Sequence, residues 1–344
     1  MSSLAPQAPP APGGPRGLVM ARALIPPALR AWIARLDPEL AALCCYQLGF
    51  DAAGGPRDGG KLLRPALCLL SAAAAGGDPS DAVSACVAVE LIHNATLVHD
   101  DIMDGDKLRR HRPTAWARFG VPAAILAGDA LLALAFETLT EDPHPAAPVT
   151  AAELTRTLRV LSSGQERDLR YERLPSITLR QCLSMLEAKS GSLLGFACRA
   201  GASYAGAPPE WRGRFSGFGT DLGVAFQLVD DLLGIWGDPR VTGKPAGSDL
   251  RARKKSAPVV AALSSGGAAA ARLAELYGKR RPLNQRELRV AAKSVEQAGG
   301  RDWTLGEIRR RTESALERLE GLDLDHAAHA DLRQLAAAAA DRAW

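Results

Sequence analysis

The chain has 344 residues, 47% hydrophobic, 5% aromatic and 23% charged, and its 42 basic and 38 acidic residues give a net charge of +4. This excludes a disordered polyelectrolyte, and so mild a charge does not by itself mark a nucleic-acid binder. Abundant alanine with few aromatic residues favours helix over sheet.

Residues 1–17 hold five prolines and three glycines. They are predicted to form a disordered Pro/Gly/Ala-rich tail that could dock onto another protein. Residues 18–344 are predicted to form one all-helical domain. Apolar residues recur at three and four spacing over 29–43, 62–75, 82–103, 123–138, 154–169, 179–200 and 215–236. Shorter helices are predicted over 257–263, 270–277, 285–298, 305–319 and 326–342. Gly54-Gly55-Pro56, Gly76-Gly77, Asp142-Pro143, Pro208-Pro209, Gly237-Asp238-Pro239 and Gly266-Gly267 punctuate them. No useful stretch alternates with period two. The middle helices are apolar on all sides, which predicts a bundle with a buried centre. The most apolar stretch, 121–139, carries Asp129 and Glu137 and reads as a buried helix, with no stable membrane insertion. The six cysteines show no CxxC spacing and read as buried thiols of a reducing compartment, the cytoplasm.

Two acidic clusters stand out. Asp100, Asp101 and Asp104 end the apolar helix 82–103, with Asp100 and Asp104 one turn apart on one face. Asp230 and Asp231 end the apolar helix 215–236, followed by Gly234 and Asp238. Carboxylates so crowded repel one another unless cations sit between them. Oxygen-only donors favour Mg²⁺ or Ca²⁺ over zinc, and Mg²⁺ completes its shell with water and substrate phosphate. A solvated helix end is the competing reading of either cluster alone. Basic residues flank both: Lys61 and Arg64, Arg109 and Arg110, Lys244, Lys254 and Lys255. Such residues clamp diphosphates.

GGKLLRP, HNATLVHDDIMD with RRHRPT, LAGDALL, GQERDL, AKSGSLL, FQLVDD and GKPAGSDLRARKKS follow one another in this order. In them the sequence resembles the trans-isoprenyl diphosphate synthases, or polyprenyl synthetases, most of all actinobacterial geranylgeranyl diphosphate synthases. The resemblance implies an isoprenoid-synthase helical bundle with a central cavity. It implies a prenyltransferase that joins isopentenyl diphosphate to an allylic diphosphate, with three Mg²⁺ ions and as a homodimer. It assigns Asp100, Asp104 and Asp230 as metal ligands, with Asp101 and Asp231 in support. Arg109, Lys189 and Lys244 would grip the allylic diphosphate together with Lys254, for which Lys255 is a rival. Lys61, Arg64, His93 and Arg110 would hold isopentenyl diphosphate. Ser190, Phe226 and Gln227 would line the reaction centre, and Gln165 and Asp168 the same wall. Read without the family, His93 is a core histidine. His99 is expected to orient a motif carboxylate, and Arg309, Arg310 and Arg311 to form a solvated face.

The resemblance also implies that Val89, Ile92, Ala95 and Thr96 set product length. The product tail grows down the helix below Asp100; small Ala95 and Thr96 let it pass and Ile92 stops it lower, so C20 is expected, with C15 or C25 and beyond as the alternatives. One departure is Gly234, where the family carries a third acidic residue. Asp238 would share a face with Asp230 if the helix continued, which also loosely matches class I terpene cyclases. A non-catalytic partner subunit of a prenyl synthase is the other alternative.

Overall fold

The computed structural model describes residues 15–50, 62–238 and 247–340. Helix α1 (Arg16–Ile33) begins within the last two residues of the segment expected to be a tail. The single helix expected over 29–43 is instead two. Asp37 precedes Pro38, whose ring disfavours a helical Asp37 and suits the first position of α2 (Pro38–Leu48). Gly49, left-handed at φ 77°, closes α2.

The centre is built from α3 (Leu63–Ala74), α4 (Val83–Met103), α9 (Ser192–Tyr204) and α10 (Pro209–Trp236). The α9 helix packs along α3 and α10, and α4 packs along α3 and α6 (Val121–Thr140), which follows the short α5 (Ala115–Phe119). Leu67, Leu70, Leu91, Ile92, Phe215 and Phe218 are fully buried here. Burial contributes about 1.5–3 kcal/mol for each such side chain. The central helices are apolar all round because neighbours cover every side. Helix α7 (Ala147–Arg173) runs beside α9. Helix α8 (Leu179–Leu186) leads into a π-helical turn, Glu187–Gly191, which interrupts the continuous helix expected over 179–200. After α10 come α11 (Ser248–Ala252), α12 (Ala257–Ser264), α13 (Gly267–Tyr277), α14 (Gln285–Gln297), α15 (Gly300–Glu317) and α16 (His326–Ala340).

Two small strands appear where none is expected. Leu108–Arg109 pairs antiparallel with Arg112–Pro113. Arg110 (φ 51°) and His111 (φ 61°) make the turn, the pair of left-handed positions a two-residue hairpin requires. Two residues are too few for periodicity to register. The segment Pro79–Met103 and helix α6 are each long and apolar enough to cross a membrane, but 67% of the first is buried inside the protein. Helix α6 is less covered than expected: Val121, Ile125 and Leu126 are exposed, Leu126 by 61%. Five of the six cysteines are buried and Cys45 is half-buried, all as free thiols. Burial pushes the Cys44 thiol up to about 12.

Candidate active site

The first acidic wall is the C-terminal turn of α4 with its cap, Asp104. Burial pushes the Asp100 carboxyl up to about 6. Lys189 and Arg109 oppose this, while Asp104 and Asp168 add to it. Asp101 turns inward and is 1% exposed. Arg109 Nε donates to its two oxygens at 2.9 and 3.1 Å, and Nη2 lies 2.8 Å from Oδ1. Arg109, expected at the diphosphate, therefore braces Asp101 across the hairpin in this conformation.

The second wall is the C-terminal end of α10. Asp230 is exposed there, and Asp231 is buried. Asp231 accepts the Ala257 N–H at 2.8 Å and Gln227 Nε2 at 3.3 Å, which ties the wall to the start of α12. Burial, then the charge of Asp249, pushes Asp231 up to about 7. The helix stops at Trp236 and Gly237 is extended. Asp238, before a proline that disfavours helix, does not continue the Asp230 face. Asp249 comes instead. A Cβ on Gly234 would stand 2.3 Å from Asp249 Oδ2, so only glycine leaves room for that carboxylate. Sequence reasoning missed Asp249; its signal was a glycine at an acidic motif position, with an aspartate fifteen residues on.

Lys254 stands between the walls. Its Nζ is 3.6 Å from Asp104 Oδ2. Although burial opposes it, Asp104, Asp168, Asp249 and Glu172 raise its pKa and keep it charged. Arg253, left-handed at φ 54°, turns the chain so that Lys254 enters the mouth. Lys255 leaves in another direction. Its Nζ donates to the Glu172 carbonyl at 3.1 Å, beside a groove of about 700 Å³ lined by Ile177, Arg180 and Val260. On the third side, Lys189 Nζ meets Asp168 Oδ2 at 2.6 Å, and Ser190 Oγ donates to Gln227 Oε1 at 2.8 Å. Both come from the π turn, which packs so closely on α7 that a Cβ on Gly164 would lie 2.5 Å from Lys189 N. Phe226, one turn before Asp230, is half-buried against the core.

A second cationic cluster lies behind. Arg64 sits in the first turn of α3, with Asp230, Glu90 and Arg110 in its electrostatic surroundings. Burial lowers the Arg64 pKa, and its Nε has no hydrogen-bond partner among the described residues. Burial, then Arg64, Arg110 and Arg109, hold the His93 imidazole well below its ordinary value and so neutral. Glu90 is 5% exposed and accepts Asn94 Nδ2 at 3.1 Å. Glu90 and Asn94 were missed in the sequence, where a polar residue on an apolar helix was the only sign. His99 does not orient a motif carboxylate. It turns to α6, with Nε2 3.3 Å from the Ile125 carbonyl and 3.7 Å from Asp129. Lys61 and Lys244 lie outside the described residues.

A family model for polyprenyl synthetases matches residues 56–295. This chain belongs to the polyprenyl synthetase family. A (2E,6E)-farnesyl diphosphate synthase of Mycobacterium tuberculosis is 41% identical over 331 residues, which cover 94% of this chain and 92% of that protein. A geranylgeranyl diphosphate synthase of the same organism is 43% identical over 295 residues, 85% of this chain and 84% of that one. The crystal structure of a polyprenyl synthetase from Streptomyces coelicolor superimposes with a TM-score of 0.88 at 44% identity, covering 94% of this chain and 98% of that one. The synthetase is thus a prenyltransferase of the trans-prenyl diphosphate synthase type, and the expected all-helical fold holds.

The family uses Mg²⁺ to ionise diphosphates. Among the described residues, no three Asp, Glu, His or Cys side chains close on one point. The carboxylates instead line two walls with lysines between them. That donor set suits Mg²⁺, which takes one or two carboxylates and fills its shell from water and phosphate. Below Asp100 the synthetase buries Val89, Ile92 and Ala95 completely, while Thr96 is half-buried and donates to the His93 carbonyl at 2.8 Å.

Proposed function

We propose that this polyprenyl synthetase condenses isopentenyl diphosphate with an allylic diphosphate and elongates to C20 geranylgeranyl diphosphate. The observation that carries the length is Ala95, small and fully buried on α4 five residues before Asp100, with Ile92 deeper on the same helix. Both C15 and C20 synthases are among its relatives, which support the condensation without deciding the length.

In this reading Asp100, Asp104 and Asp230 would hold three Mg²⁺ ions, which when bound would supply positive charge to offset that developing on the leaving diphosphate. Lys189, Lys254 and Lys244 grip the same diphosphate, and Arg109 reaches it while bracing Asp101. Asp231 fixes the end of α10 through the Ala257 N–H. Lys61, Arg64, His93 and Arg110 hold the second diphosphate. Neutral His93 contributes an imidazole hydrogen bond there without competing for a proton. Ser190 and Gln227, bonded to each other, present polar oxygens to the allylic cation, and the Phe226 ring faces it. The buried apolar wall excludes water until the double bond of isopentenyl diphosphate has attacked C1. The departing pyrophosphate takes the proton lost from the adduct.

The terpene-cyclase alternative needed Asp238 on the Asp230 face, and α10 ends before it. A non-catalytic subunit would keep its effect on a partner after Asp100→Ala with Asp104→Ala, whereas the proposed enzyme loses nearly all turnover. Product length is tested by Ala95→Phe, which is expected to shorten the main product; an unchanged product removes the floor argument. We read the uncovered strip of α6, with Val121, Ile125 and Leu126, as the seam of a homodimer.

A further inference from the structure

Arg311 is not part of a solvated face; it is 12% exposed and projects from α15 into the joint between α10 and the π turn. Its guanidinium donates Nη1 to Asp221 Oδ1 at 2.8 Å, Nη2 to Glu187 Oε1 at 2.7 Å and Nε to Glu307 Oε1 at 3.0 Å. Asp221, on α10 and 4% exposed, also accepts Arg318 Nε at 2.7 Å and Ser314 Oγ at 3.1 Å. Glu187 opens the π turn, and Lys189 follows two residues later. The turn is thus fastened to α10 at both ends, at Glu187 through Arg311 and at Ser190 by the direct bond to Gln227. A π turn leaves the regular helical hydrogen-bond register, so its setting depends on such side-chain ties. A rigid guanidinium fork shared by three carboxylates fixes direction as well as distance. Arg311 also lies beyond the residues 56–295 matched by the family model.

We propose that Arg311 is a positioning residue: through Glu187 it sets the π turn so that Lys189 Nζ meets the allylic diphosphate. The proposal rests on the reading of Lys189 given above.

The test uses the full chain carrying Glu187→Gln or Arg311→Lys, each alone and combined with Lys189→Ala, with kcat and KM measured for both substrates. Glu187 is 42% exposed, so Glu187→Gln decides the matter if Arg311→Lys does not fold. Each single variant is expected to lower kcat/KM for the allylic substrate roughly tenfold with KM for isopentenyl diphosphate unchanged. In the Lys189→Ala background the same substitutions are expected to change nothing further, because they act through that lysine. A merely structural role predicts losses that multiply with Lys189→Ala. That result, or a Glu187→Gln enzyme within about twofold of the parent, overturns the proposal and leaves the role of Lys189 standing. Lys189→Ala without effect contradicts both.

Discussion

Gly234 shows how one absent side chain shapes the second acidic wall. The space its Cβ would fill holds the carboxylate of Asp249. Restoring an acidic residue by Gly234→Asp therefore does not repair the motif. It overpacks the site at about 1–3 kcal/mol, and turnover is expected to fall at least about tenfold. Steady-state kinetics of this variant against the parent check the statement. Protonation gives a second expectation at this scale. Asp100 and Asp231 have folded-state pKa values raised to about 6 and about 7. Between the ordinary carboxylate value and these, the native state binds more protons than the unfolded state, so stability falls as pH rises through that window. His93, lowered, acts in the opposite sense: its share is lost as pH falls below the ordinary histidine value. Asp231→Asn keeps an oxygen for the Ala257 N–H. It is expected to flatten the decline between pH of about 5 and about 7.5 in metal-free melting curves; an unchanged slope contradicts the assignment.

The elements divide into those that leave a mark in sequence and those that do not. Helices α4 and α10 were legible because a long apolar pattern carries paired aspartates in or near its last turns, and burial and acidity there are both local. The break at Pro38 was overlooked because the apolar pattern runs straight through it. The π turn changes hydrogen-bond register without changing composition, and Lys189 and Ser190 owe their placement to it. Arg311 sits in a run of three arginines that reads as solvated, and only the approach of α10 and the π turn buries it. Four backbone strains were equally silent: Leu62 (φ 46°), Arg110, His111 and Arg253 are left-handed within two residues of Arg64, Arg109 or Lys254. Non-glycine residues persist there where the surroundings hold them, as at functional sites. The close approach of α7 to the π turn gives a further prediction. Gly164→Ala drives a methyl against Lys189 N and is expected to lower both the melting temperature and turnover, at about 1–3 kcal/mol; an unchanged melting temperature contradicts the packing.

At the scale of the molecule, the net charge of +4 conceals a segregation. Carboxylates gather at the ends of α4 and α10, and Lys189, Lys254, Arg64 and Arg109 stand among them. The scarcity of aromatic residues has a counterpart below Asp100, where α4 carries Val89, Ile92 and Ala95 and no Phe, Tyr or Trp. The uncovered strip of α6 predicts that Leu126→Lys shifts sedimentation from dimer to monomer; a parental sedimentation profile contradicts that seam. The most direct test of the whole account is product analysis of the purified chain. It is incubated with isopentenyl diphosphate and either geranyl or farnesyl diphosphate, with and without Mg²⁺. The account predicts a Mg²⁺-dependent C20 diphosphate from both primers, and a failure to extend farnesyl diphosphate to C20 would contradict it.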